Sequence, residues 1–303
     1  MEALTETHVT HHLVLPLWNF EMDSAPVRLG TKTSVRLLST SERQSLYNLI
    51  KLVGSFPLMG IDRVRFGIDV EFQTELTDML TGEPEELAML ALDALRILSQ
   101  GGVQAPLRFH SIYPPNRWRT SVGASSSWSH SITNIHPLYV LSQDVVESLQ
   151  EIWASLTSQD LRDNKILARL RYRLSHMYQS GETTDRLVDA LIGLESIYLN
   201  STDRTEITYK LSSRVAVFLE QSLIERKRLK TLIETLYNLR SKLVHGDEIK
   251  SKHLRYLGET LNISQFTDLA EEIFRRSILK LLTSHRTLLA SHDTKYFDDL
   301  LLE

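Results

Sequence analysis

The sequence predicts an α+β domain followed by an all-α helical bundle, and three observations carry that prediction. Up to about Pro137, short β-type runs alternate with helical ones; from Leu141 onward every strongly patterned stretch has the helical period; and a Ser- and Pro-rich stretch lies between the two. A chain of 303 residues, 42% hydrophobic and 24% charged, is long enough to build two such cores. The expected domains are therefore 1–137 and 138–303.

In the first part, HHLVLPLW, SVRLL, VRFGIDVEF and PLRFHSIY carry the branched and aromatic residues of strands. SERQSLYNLIKLV and PEELAMLALDALRIL read as helices. Ser41 with Gln44, and the acidic turn from Glu83 to Glu86, supply acceptors for the free amides of a helix start. The stretch YPPNRWRTSVGASSSWSHSITNIHP has no steady period and reads as an extended loop or linker. Beyond it come DVVESLQEIWASLTS, LRDNKILARLRYRLSHMYQ, DRLVDALIGLESIYLN, TEITYKLSSRVAVFLE, SLIERKRLKTLIETLYNLRSKLVH and FTDLAEEIFRRSILKLLTSH. These are helices with short breaks such as Ser180-Gly181, the pattern of a bundle, and no repeat of solenoid period is present.

Zero cysteines excludes disulfides, thiolate nucleophiles, iron–sulfur clusters and cysteine-based zinc sites. No apolar run approaches the roughly 20 residues that cross a bilayer, and MEALTETHVTHHLVLPLW lacks the order of a signal peptide, so a cytoplasmic location and no membrane partner are expected. The net charge of −4 does not favour nucleic acid, yet the window Gln221 to Tyr256 holds nine Lys or Arg against four acids, a local +5. That window is either a solvated helix surface or an electrostatic footprint for phosphate.

Inside it lies LRSKLVHGDEI. Leu229, Leu232, Ile233, Leu236, Leu239, Leu243 and Val244 recur at steps of three and four, so a helix runs through Arg240, and Gly246 suits the left-handed position that ends it. His245 then stands in the last turn, where a cation is favoured, and imidazole can both give and take a proton near neutral pH. Five residues at about 100° each put Arg240 and His245 roughly 140° apart on an ideal helix. The length of arginine, the end of the helix, or a site shared by two copies of the chain would let them converge. Without convergence, His245 is a helix-end partner and Arg240 a salt-bridge residue.

A second helix bears on that choice. In DRLVDALIGLESIYL, Glu195 falls inside the apolar stripe of Leu187, Val188, Leu191, Ile192, Leu194 and Tyr198, where a carboxylate needs a partner. Arg240, on another core helix, is the expected partner, and that pair by itself is structural.

DRLVDALIGLESIYL, then EITYKLSSRVAVFLE, then LYNLRSKLVHG resemble the HEPN superfamily, in particular its Apea-like branch, over roughly Leu141 to Asp293. LALDALRILSQGGV is similar to a segment that precedes the helical domain in related proteins. The resemblance places the family's arginine on Arg240 and its histidine on His245, with Ser241 at a polar position that is often Asn, Asp or His in other branches. It implies a metal-independent endoribonuclease without cofactor that acts as a homodimer or higher homo-oligomer on RNA, or a member that has lost activity and serves as a dimerisation, sensor or scaffold module. It also implies a bacterial or antiphage defence setting, toxin-like action, and a protein activator or regulator.

The residues suit that chemistry. Cleavage through the ribose 2′-hydroxyl needs a proton acceptor, a proton donor and positive charge on the phosphorane-like transition state, roles open to two copies of His245 and to Arg240. Ser241 can hydrogen-bond phosphate, Lys242 can position the RNA backbone, and Tyr237 is placed beside the cleft or in the core. Arg226, Lys227, Arg228 and Lys230 either guide RNA or solvate the helix. A constitutive ribonuclease would harm its host, so the free protein is expected to be restrained, with the first domain occluding the cleft.

Elsewhere, His8, His11 and His12 form a tight cluster read as a partly ordered terminus or, with a distant further ligand, a metal site. His285 and His292 would share a solvent face of a helix, and no phosphate loop, nucleophile elbow or zinc-protease motif is present.

Overall fold

The computed structural model describes residues 8–53, 64–75, 81–113, 123–128, 137–291 and 293–302. The chain forms two compact units, Met1–Thr157 and Ser158–Glu303.

The first unit is built on a strand that needs both of its neighbours. β1 (His8–Pro16) pairs antiparallel with β5 (Phe66–Glu75) on one edge and β6 (Leu107–Tyr113) on the other. Between them in the chain come β2 (Phe20–Met22), β3 (Val27–Arg28), β4 (Thr33–Leu37), α1 (Thr40–Val53) and α2 (Glu83–Leu98); β7 (Gly123–Trp128), β8 (Tyr139–Leu141) and α3 (Val146–Leu156) follow. The six-stranded sheet has the order β3-β4-β5-β1-β6-β7, and β2 and β8 form a separate parallel pair. Leu13, Val14 and Leu15 are all buried, so β1 is covered on both faces. Val14 packs with Trp18, Leu38, Leu46 of α1, Val64 and Leu107, while α2 packs on β1 and β5.

Three expectations for this unit change. The Ser/Pro-rich stretch holds β7, which pairs with β6 from Leu107↔Trp128 to Ile112↔Gly123; an edge strand needs backbone pairing on one side only, so GASSSW forms it without an apolar period. The helix α3 lies in the first unit rather than with the bundle. Its buried Leu149, Ile152, Trp153 and Leu156 need a cover, and α2, buried along most of its length, provides one. The start of α1 is capped by Ser39 and Glu42, not Ser41 and Gln44: Ser39 Oγ accepts from the Glu42 amide at 3.2 Å and the Ser39 amide donates to Glu42 Oε2 at 2.7 Å. The α2 start at Glu83 is as expected, with proline in its first turn.

The second unit is helical: α4 (Gln159–Arg162), α5 (Lys165–Gln179), α6 (Thr183–Tyr198), α7 (Ile207–Leu219), α8 (Leu223–His245), α9 (Ile263–Ser284), α10 (Arg286–Ser291) and α11 (Lys295–Asp299). A small hairpin of β9 (Arg255–Tyr256) and β10 (Glu259–Thr260) intervenes. Asn164 caps α5 by accepting from the Leu167 amide, which breaks the expected single run LRDNKILARL into α4 and α5.

The central helix is α6, packed against α5 and α9 and touching α7 and α8. It presents a different polar or small residue to each of three neighbours. Arg186, fully buried, donates to Glu271 of α9 at 2.7 Å from Nε and 2.5 Å from Nη2. Asp189 accepts from Arg173 of α5, and Glu195 accepts from Arg240 of α8. Gly193 lies against Phe274, where an added Cβ would fall 2.3 Å from Cζ, so glycine is what allows α6 and α9 to approach. Among the described residues, no helix is long and apolar enough to cross a membrane.

Candidate functional site

The helix α8 begins at a serine cap, Ser222 Oγ accepting from the Glu225 amide, and buries Leu229, Leu232, Ile233, Leu236 and Leu239 along one stripe. It ends where the glycine requires. Gly246 has φ +71°, its amide donates to the Leu243 carbonyl at 3.2 Å, and the Asp247 amide donates to the Lys242 carbonyl at 2.9 Å. These two bonds form a Schellman closure, which satisfies carbonyls of the last turn and leaves His245 as the final helical residue.

Arg240 is turned onto α6. Its Nη1 donates to Glu195 Oε1 at 2.9 Å, each side chain keeping 23% of its surface exposed. Tyr237, one turn earlier, lies beside both: the Arg240 guanidinium is 5.5 Å from its ring centroid, and the phenol is pushed above its ordinary pKa by burial and then by the Glu195 carboxylate. Arg240 Nε is buried and has no hydrogen-bond partner among the described residues. One edge of the guanidinium is thus neutralised by Glu195, and part of the group remains open to solvent.

His245 is exposed and makes no hydrogen bond among the described residues; Ser241 is exposed, and Lys242 is half-buried. The structure therefore brings together Arg240, Glu195 and Tyr237, and gives no contact between that group and His245 within one chain. After the glycine, a 3₁₀ turn at Ser251–Leu254 and the β9–β10 hairpin pack back on α8, with the Tyr256 hydroxyl donating to the Arg228 carbonyl at 3.2 Å. This fold-back sets Lys252 and Arg255 on a segment packed against the helix of Arg226, Lys227, Arg228 and Lys230. There desolvation, and then the neighbouring Lys242, Lys252 and Lys250 charges, lower the His253 pKa.

The other histidines resolve differently from expectation. His8, His11 and His12 lie on β1, a paired central strand rather than a loose terminus. Alternation sends His11 and His12 to opposite faces. His11 is buried between His110 (Nδ1 to Nε2, 3.0 Å) and Thr74 Oγ1 (3.0 Å), while His12 Nε2 meets Asp69 at 2.8 Å. Among the described residues no group of three or more potential ligands could hold a metal ion. His285 caps the end of α9 instead of lying within a solvent-facing helix, its ring 5.1 Å from that of Phe218, and His292 lies outside the described residues.

Comparison of the chain with family models, with curated proteins and with solved structures finds no match. The functional reading therefore rests on the residues of α6 and α8.

Proposed function

We propose that the chain is a metal-independent endoribonuclease of HEPN type, in which Arg240 and His245 of α8 act at an interface between two copies. The observation that supports it most is the state of the two side chains. Arg240 is held in one orientation by Glu195 yet keeps exposed guanidinium, and His245 stands unpaired on a helix end closed by Gly246. Because one chain gives them no mutual contact, a second copy of α8 completes the cleft.

In that cleft, one His245 takes the proton of the ribose 2′-hydroxyl as its oxygen attacks phosphorus. The bond from phosphorus to the 5′-oxygen breaks, and the second His245, protonated, gives its proton to that oxygen. The products are a 2′,3′-cyclic phosphate and a free 5′-hydroxyl. Arg240 pairs with the non-bridging oxygens as negative charge grows on them, with Ser241 and Lys242 holding the adjoining backbone. Glu195 and Tyr237 are positioning residues, since they orient the guanidinium without touching the reacting atoms. A role in defence, with activity released by a regulator, belongs to this reading.

The ion pair itself favours a second reading. Arg240 and Glu195 join α8 to α6, so the same residues serve a non-catalytic dimerisation, sensor or scaffold module. The discriminating experiment is cleavage of mixed RNA in EDTA by wild type, Arg240→Ala and His245→Ala, each checked for folding and oligomeric state. The nuclease reading expects wild-type cleavage with cyclic-phosphate ends, abolished by both substitutions in folded protein. No cleavage by wild type, with loss of folding in Arg240→Ala, favours the scaffold.

A further inference from the structure

The most uniformly basic helix is not the one that carries the arginine–histidine motif. Over Lys165–Gln179, α5 holds four Lys or Arg (Lys165, Arg169, Arg171 and Arg173) and no Asp or Glu, in a chain of net charge −4. Its buried side is Leu167, Leu170, Leu174, Met177 and Tyr178. On the outside, Lys165, Arg169, Tyr172 and His176 follow one another at steps of three and four, with Arg173 beside Tyr172, which puts the five within an arc of about 100° for about 16 Å of the helix length.

This face is organised rather than merely solvated. Tyr172 is 61% exposed, and its ring lies 6.0 Å from that of His176 with 28° between the planes, so two aromatic rings form a shallow platform at the surface. The Arg173 guanidinium is 5.6 Å from the Tyr172 ring centroid. Beneath them Asp189 of α6, nearly buried, accepts from Arg173 Nη1 at 2.8 Å and from His176 Nδ1 at 2.6 Å. A carboxylate only accepts, so His176 carries its proton on Nδ1 and turns Nε2 away from Asp189, with half of its side chain exposed. One buried acid thus fixes an arginine and a histidine next to an exposed, stacked tyrosine.

The geometry points to a binding platform for single-stranded nucleic acid on α5. Unstacked bases lie on the Tyr172 and His176 rings, and the phosphates follow Lys165, Arg169 and Arg173. Aromatic rings interleaved with cations along one track are what a single strand requires, whereas a duplex keeps its bases stacked and offers nothing to Tyr172. This inference rests on the ribonuclease reading for naming the strand as RNA; the stacking and phosphate chemistry stands without it.

The test is fluorescence anisotropy of a labelled oligouridylate with the full-length protein carrying His245→Ala, so that the probe is not cleaved during the titration. A paired duplex and a polyglutamate peptide serve as competitors. Tyr172→Ala, on an exposed side chain, is expected to weaken binding about tenfold, Tyr172→Trp to preserve it, and Arg169→Ala to reduce its salt dependence. Oligouridylate binding that is absent, indifferent to Tyr172→Ala, or displaced as well by duplex or by polyglutamate would overturn the platform. Absence of cleavage in EDTA by the wild-type protein, alongside intact Tyr172-dependent binding, would instead overturn the nuclease reading alone.

Discussion

Two of the charged pairs made by α6 use the same chemistry at different depths. Arg186 is fully buried against Glu271, itself 4% exposed, and burial pushes the Glu271 carboxyl up to about 7 in spite of the neighbouring guanidinium. Glu195 and Arg240 form a pair of similar length with 23% of each side chain in solvent. A buried pair cannot lose one partner without stranding the other in a low-dielectric interior. A partly exposed pair can, because water reaches the group left behind. The first pair therefore belongs to the fold, and the second can exchange its partner at lower cost.

The largest expected effect breaks the buried member. Arg186→Ala should cost about 3–5 kcal/mol in urea-induced unfolding, by leaving Glu271 and Asp268 without their cation. A cost under about 1 kcal/mol would remove the distinction between the two pairs. Next is Gly193→Ala, which forces a methyl into Phe274 and should destabilise by about 1–3 kcal/mol through overpacking between α6 and α9. Gly246→Ala should cost about 1 kcal/mol, since alanine must take a left-handed φ of +71° at the end of α8. Its effect on cleavage should exceed its effect on the unfolding midpoint, because it displaces His245.

The smallest expected effect extends the comparison to a buried histidine and its half-buried neighbour. His11 and His110 touch at 3.0 Å, and both are pushed below the ordinary imidazole value, His11 by burial and then by His110, and His110 by burial first. The unfolded chain accepts these protons first as pH falls, so the contribution is complete above about 6.5 and is lost as pH drops below it. Protection of the β1 and β6 amides, taken relative to the intrinsic exchange rate at each pH, should fall between pH 7.5 and 5.5 in wild type. Protection that is flat over that range would show that the pair does not titrate into the stability of the sheet.

Much of this architecture is legible in the chain. Period-two and period-3.6 patterns locate β1, β4, β5, β6 and the principal helices, and the carboxylate of Glu195 inside an apolar stripe requires the Arg240 that it meets. Other parts are not legible, for identifiable reasons. β7 is serine-rich because an edge strand depends on backbone pairing, and α3 has a bundle-like period although its cover is α2. The two acceptor roles of Asp189 depend on which helix packs on α6, which spacing within DRLVDALIGLESIYL does not state. The α5 face does have a signal, the acid-free run KILARLRYRLSHMYQ, but a charge count centred on LRSKLVHG passes it by.

If the proposed function holds, the partly exposed Arg240 serves phosphate more than it serves the fold. Arg240→Lys tests it most directly, because lysine keeps a cation for Glu195 and loses the planar fork that pairs with two phosphate oxygens. Unfolding midpoint and single-turnover RNA cleavage in EDTA should be measured on the same preparation. We predict a midpoint within about 1 kcal/mol of wild type together with a cleavage rate lowered about 100-fold or more. Cleavage preserved with lysine, or lost only in step with stability, would contradict the claim.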